Sequence, residues 1–215
     1  MLEEMGAFFD ARLDGYEDHQ LTCIASAEEF YPFTARCLPI GNVRILDLGC
    51  GTGLELNFYF ALAPEADVTG IDLAPGMLRE LETKFPDKAL TLIQGSYFDV
   101  SFSEDCFDAA VSVESLHHFT KEEKLPLYRK LWRSLKPGGC FILTDYFSLS
   151  DEEEQAHRRE LLRLKAEQSI ADGVFYHYDT PLTVAHETEA LAEAGFSKIE
   201  ILGSWGATHT LKAWK

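Results

Sequence analysis

Between Val43 and Phe147 short apolar runs alternate with stretches of helical period, and few folds accept that pattern. VRILDL reads as a buried strand and Leu54 to Ala63 as a helix. ADVTGID is a second strand, followed by a helix with Met77, Leu78, Leu81 and Phe85 on one face. ALTLIQG and CFDAAVSVE are a third and a fourth strand. Leu125, Tyr128, Leu131, Trp132 and Leu135 then recur at helical spacing until Pro137 stops the helix; Gly138 and Gly139 turn the chain into a fifth strand, CFILTDYF. Regular alternation of this kind implies right-handed crossovers and a parallel sheet covered by helices on both faces. The first forty residues read as helices, with Pro32 interrupting the second. Ser150 to about Ala171 is a charged helical stretch, and Asp179-Thr180-Pro181 starts a helix that ends at Gly195. KIEILGSW and ATHTLKAWK are separated by so short a link that they must pair antiparallel. The expectation is one domain over 1–215: a helical cap (1–40), a core (43–147), a lid (150–180), then a closing helix and C-terminal hairpin (181–215).

The first strand runs into ILDLGCGTGLE, with Gly49, Gly51 and Gly53 at alternate positions. Such loops often cradle phosphate at a helix N-terminus. Here Asp47 precedes the loop and Glu55 follows it, and carboxylates oppose a phosphate while suiting a cation. A dinucleotide loop would read G-x-G-x-x-G, one residue longer, and the lysine of a Walker loop is missing. Asp72 ends the second strand nineteen residues after Gly53. A carboxylate there accepts hydrogen bonds from both hydroxyls of a ribose; its alternative role is to cap the helix that begins near Pro75.

A net charge of −17 repels nucleic acid and anionic lipid at long range, so the balance favours a small-molecule or protein partner; a small-molecule acceptor and a homodimer are the expectation. No apolar run approaches the roughly 20 residues of a membrane span. The acidic N-terminus lacks the pattern of a signal peptide. Five scattered cysteines without a Cys-x-x-Cys pair suit a reduced, cytoplasmic setting.

A ligand with a ribose, a cation and no phosphate points to S-adenosylmethionine. The chain resembles the class I S-adenosylmethionine-dependent methyltransferases of small-molecule type (methyltransferase domain type 11 or 12). The resemblance rests on ILDLGCGTG, VTGIDLAPGML, IQGSYFDV, VSVESLHHF and LKPGG. It implies a Rossmann-like seven-stranded sheet, mostly parallel with an antiparallel last strand. It also implies that Asp47 and the loop Gly49, Cys50, Gly51, Thr52 and Gly53 lie near the methionine moiety, and that Asp72 holds the ribose. Leu73 and Met77 would flank the adenine, with Ser96 and Tyr97 where many relatives place an acid for its amino group. Tyr16 is the candidate for the cofactor carboxylate, and S-adenosylhomocysteine is the product. A protein that binds the cofactor without transferring methyl, or uses a modified cofactor, is the alternative; a nicotinamide-dependent oxidoreductase is a more distant one.

Glu114, Ser115, Leu116, His117 and His118 follow the fourth strand, where acceptor-facing residues usually sit. His117 and His118 are the catalytic candidates, as bases if the acceptor must lose a proton; packing in the core is the competing role. Glu114 fits a cofactor contact or helix cap better. No metal is expected, because adjacent histidines rarely converge on one ion without further ligands, and His186-Glu187 begins an H-E-x-x-H pattern that Ala190 does not close. The aromatic run GVFYHYDT either lines the acceptor site or anchors the lid; Phe8 and Phe9 close the cofactor pocket from the other side.

Overall fold

The computed structural model describes residues 1–170 and 173–215. Its centre is a seven-stranded sheet in the order β3-β2-β1-β4-β5-β7-β6. The strands are β1 (Arg44–Leu48), β2 (Asp67–Asp72), β3 (Ala89–Gln94), β4 (Phe107–Val113), β5 (Leu135–Tyr146), β6 (Lys198–Trp205) and β7 (Thr208–Trp214). The first five pair in parallel, and β7 runs antiparallel to both β5 and β6, as the short link between the last two strands requires.

Alternate strand residues serve two separate cores. Leu46, Leu48, Ala110, Phe141 and Leu143 pack with Leu127, Leu131 and Leu191 from α6 (Lys121–Ser134) and α8 (Val184–Ala194). Ile45, Val68, Ala109, Val111 and Ile142 pack on the other face with α3 (Ala27–Cys37), α4 (Leu54–Leu62) and α5 (Pro75–Lys84). The N-terminal cap adds α1 (Met5–Asp10) and α2 (Tyr16–Cys23), and the lid carries α7 (Asp151–Glu167). Its expected last residue, Ala171, lies outside the described residues. No described helix is long and apolar enough to cross a membrane.

Three sequence expectations shift. Pro32 does not interrupt its helix: α3 runs through it because Phe30, Tyr31, Thr34 and Ala35 are buried, and packing outweighs one lost backbone bond. The helix before LKPGG ends at Ser134, and Leu135 already pairs with Phe107, so Lys136 to Gly139 form an irregular extension of β5. The last helix starts at Val184 rather than at Asp179-Thr180-Pro181. Leu182 O accepts from Ser148 N at 3.0 Å, so this stretch is held extended beside the end of β5 and the helix begins only after the cap Thr183.

One buried ion pair clamps the elements that frame the site. Lys124 of α6 (1% exposed) donates to Glu187 of α8 (0%) at 2.6 Å, and the Tyr128 hydroxyl donates to the same carboxylate. Replacing Lys124 by Met strands that carboxylate in the core and should cost about 3–5 kcal/mol in urea unfolding, while Lys124→Met with Glu187→Leu should recover most of the loss.

Candidate functional site

β1 delivers Asp47, and the chain then turns through Gly49 and Gly51 with φ of 72° and 49°. A Cβ on Gly49 would lie 2.1 Å from Ser115 Oγ, so this position admits no side chain. Gly49 N donates to Ile71 O at 2.8 Å, which binds the loop to the end of β2. Asp72 works from the same place: Oδ2 accepts from Gly51 N at 2.9 Å and Oδ1 from Ala74 N at 2.8 Å. It therefore supports both the glycine loop and the turn into α5, and each oxygen keeps a lone pair for a ligand.

Gly49, Gly51, Asp72, Leu73, Met77, Tyr97, Glu114 and Tyr16 line one cavity of about 50 Å³, closed over by Met5 and Phe9 of the cap. Cys50, Thr52 and Gly53 line a recess on the other side of the loop, again with Tyr16. Ser96 departs from expectation. It lines neither space, and its Oγ accepts from Phe98 N at 3.1 Å, a local turn that uses the hydroxyl. Tyr97 shares a hydrogen bond with Ser115 Oγ at 3.2 Å and so holds the far wall.

Beneath the loop two acids are buried together, Asp47 (1% exposed) and Glu55 (4%). Asp47 Oδ2, Glu55 Oε1 and Glu114 Oε1 have no hydrogen-bond partner among the described residues. Burial, and after it the Glu55 charge, holds the Asp47 carboxyl well above the usual range; burial likewise raises Glu55. Burial and then Asp145 push Glu114 up to about 8. A cationic ligand would offset the cost of ionising these buried carboxyls, so the residues present fit the sulfonium and ammonium of S-adenosylmethionine better than a phosphate.

A second cavity of about 630 Å³ adjoins the first, and Phe9, Tyr16, Glu114 and His118 line both. His117 and His118 sit on a short 3-10 turn, Leu116–His118, directly after β4. Asp145 of β5 organises that turn: Oδ2 accepts from Leu116 N at 2.9 Å and His117 N at 3.0 Å, and Oδ1 meets His117 Nδ1 at 2.5 Å. Burial opposes a charge on His117, but the Asp145 carboxylate outweighs it and pushes the ring up to about 9. His118 goes the other way, down to about 4, through burial and the neighbouring His117 charge. Asp179 Oδ1 lies 2.9 Å from His118 Nδ1 and 3.7 Å from His117 Nε2.

Several of these residues escaped the sequence reading. Asp145 left one signal, a lone acid inside the apolar run FILTDYF. Asp179 reads as a helix start and left none. Within GVFYHYDT both roles occur: Phe175 anchors the lid against Phe98 and Phe119, whereas His177 lines the larger cavity and stacks on Phe8 at 3.6 Å. The cap and lid are joined, Met5 N donating to Phe175 O at 2.9 Å and His177 N to Glu3 O at 3.0 Å.

Residues 45–139 match a family model described as a methyltransferase domain. The biotin biosynthesis bifunctional protein of Teredinibacter turnerae is 31% identical over 66% of this chain and 29% of its own length. The erythromycin 3''-O-methyltransferase of Saccharopolyspora erythraea is 28% identical over 74% of this chain and 52% of its own. The chain thus spans about half the length of these relatives, or less. A solved S-adenosylmethionine-dependent methyltransferase from Mesorhizobium loti superposes with a TM-score of 0.62 at 23% identity, covering 86% of this chain and 96% of that one, and shows the same fold.

The buried acid pair carries its own test. A carboxyl raised on folding loses stability as pH rises past its unfolded value near 4, because the unfolded form ionises first. Asp47→Asn should therefore gain about 1 kcal/mol or more near pH 7, the scale of relieving an unsatisfied buried group, and nothing near pH 3. Urea titrations at the two pH values measure this; an equal effect at both would show that Asp47 is not strained by its charge.

Proposed function

We propose that this chain is a class I S-adenosylmethionine-dependent methyltransferase and transfers a methyl group from S-adenosylmethionine to a small-molecule acceptor, a reading that the match of residues 45–139 to a methyltransferase domain supports. The observation that carries the reading is the set of unpartnered buried oxygens on Asp47, Glu55 and Glu114, around a glycine loop that Asp72 fastens in place. When bound, the cofactor supplies a sulfonium methyl whose C–S electron pair stays with sulfur as S-adenosylhomocysteine forms.

The chain's own residues bind, orient and exclude water. In this proposal Asp47 and the loop from Gly49 to Gly53 receive the methionine end, Tyr16 meets its carboxylate, Asp72 takes the ribose hydroxyls, and Leu73 and Met77 flank the adenine. Methyl transfer from a sulfonium needs alignment and a dry path more than an activated leaving group. Phe9, Tyr16, Glu114 and His118 line both cavities, so the methyl crosses between them. His117 and His118 lie on the acceptor side and set its orientation and protonation. A cavity of about 50 Å³ is well below the roughly 300 Å³ of a typical ligand site, so cofactor binding displaces the cap over it. The net charge of −17 supports a small molecule over a nucleic acid, and the scattered cysteines support a cytoplasmic setting.

Calorimetry should detect binding of both S-adenosylmethionine and S-adenosylhomocysteine and none of NAD; tight NAD binding with no S-adenosylhomocysteine affinity would overturn the proposal. Asp72→Ala should weaken cofactor binding by about 1.5–3 kcal/mol, the scale of hydrogen bonds to a charged group. Release of S-adenosylhomocysteine across a metabolite library identifies the acceptor. With that acceptor, His117→Ala and His118→Ala should lower turnover while leaving cofactor affinity near wild type.

A further inference from the structure

We propose that His117, His118 and Asp179 form a binding site for one divalent transition-metal ion on the wall of the larger cavity. One ligand atom from each residue falls within a set whose members all lie within 4.8 Å of one another. Asp179 Oδ1 is 2.9 Å from His118 Nδ1 and 3.7 Å from His117 Nε2. Metal bonds of about 2.0–2.2 Å place neighbouring donors about 3–3.5 Å apart, so small adjustments bring these three onto one ion.

Two orphaned atoms separate this reading from an ordinary charge cluster. His118 Nδ1 and Asp179 Oδ1 are buried and, despite their proximity, are not aligned for a hydrogen bond; neither has a partner among the described residues. His118 is only 7% exposed, so its unpaired nitrogen carries the full cost of lost hydration. An ion satisfies both atoms at once.

The surroundings match what a histidine ligand needs. His117 meets the Asp145 carboxylate through Nδ1, which holds Nε2 on the side of Asp179; an ion binding there displaces the Nε2 proton while Nδ1–H keeps its bond to Asp145. The same carboxylate accepts both backbone N–H groups of the turn, so the ring is oriented before any ion arrives. Asp14, Glu114 and Asp179 line the same cavity as Arg12, so its carboxyl groups outnumber its one guanidinium. Two imidazoles and one carboxylate select zinc, iron, cobalt or nickel over magnesium or calcium, and leave coordination positions open. The adjacent histidines do converge with a further ligand, which comes from the lid, far along the chain. Those open positions face the space assigned to the acceptor, so an oxygen donor on the acceptor would complete the coordination; that last step rests on the methyl-transfer reading, whereas ion binding does not.

The test uses the full chain, stripped with a chelator, dialysed, and titrated with Co²⁺ at neutral pH. Visible absorption and calorimetry should show one equivalent bound per chain. His118→Gln and Asp179→Asn should each weaken binding at least tenfold. His186→Gln, which removes a histidine 2.8 Å from Glu154 on the outer surface, should leave it unchanged. Absence of saturable Co²⁺ binding to the wild-type chain overturns the proposal, as does binding that survives in both site variants or is lost in His186→Gln. S-adenosylhomocysteine calorimetry on the same samples keeps the two claims apart: cofactor binding without Co²⁺ binding removes only the metal site, and the converse removes only the methyltransferase reading.

Discussion

The strand order turns back at β1, with β2 and β3 on one side and β4 and β5 on the other, and this reversal opens a crevice at the carboxyl ends of the strands. The chain sets an acid at each of the four strand ends around it: Asp72 on β2, Asp47 on β1, Glu114 after β4 and Asp145 on β5. Neighbouring strands lie about 4.8 Å apart, so these carboxyls repel one another unless each is managed. Asp72 is managed by backbone donors from Gly51 and Ala74, and Asp145 by the donors of the histidine turn and by His117. Asp47 and Glu114 each keep an oxygen without a partner. The outer two acids hold the architecture, and the inner two each keep an oxygen that nothing among the described residues satisfies.

That division explains why two cavities of very different size share one wall. Apolar and aromatic groups from the cap leave only about 50 Å³ beside Asp72, while the space beside Glu114 and the histidines is about 630 Å³. A charged methyl donor needs its surroundings dry and its counter-charges fixed, because low dielectric strengthens every contact with it. An acceptor that must come and go needs the larger volume. Glu114 and His118 sit where the two demands meet.

The sheet was legible because its signals are local. Apolar runs of strand length, glycines at turns and a hairpin link too short for a parallel connection each follow from a few consecutive residues. The glycine loop was legible for the same reason: Asp47, the glycines and Asp72 occupy one strand–loop–helix unit and the strand end next to it. Ser96 misled because a hydroxyl serves a local turn as readily as a ligand, and sequence spacing does not show which partner it takes. The acceptor side was hardly legible at all. Asp145, His117 and Asp179 come from β5, the turn after β4 and the segment before α8, and only the folded chain brings them together. Pro32 and the late start of α8 belong to the same class, since burial and backbone pairing decided them rather than local preference.

The lid links the two cavities mechanically. Thr180 N donates to His117 O at 2.8 Å, and Asp179 reaches the histidine rings, so this segment completes the wall of the larger cavity. A few residues earlier, Phe175 and His177 bond to Met5 and Glu3 of the cap, whose Met5 lines the smaller cavity. The chain from Phe175 to Thr180 is therefore held at one end by the cap and at the other by the histidine turn. The backbone that bonds to the cap also sets Asp179 against the histidine turn, so the walls of the two cavities are coupled through one short segment.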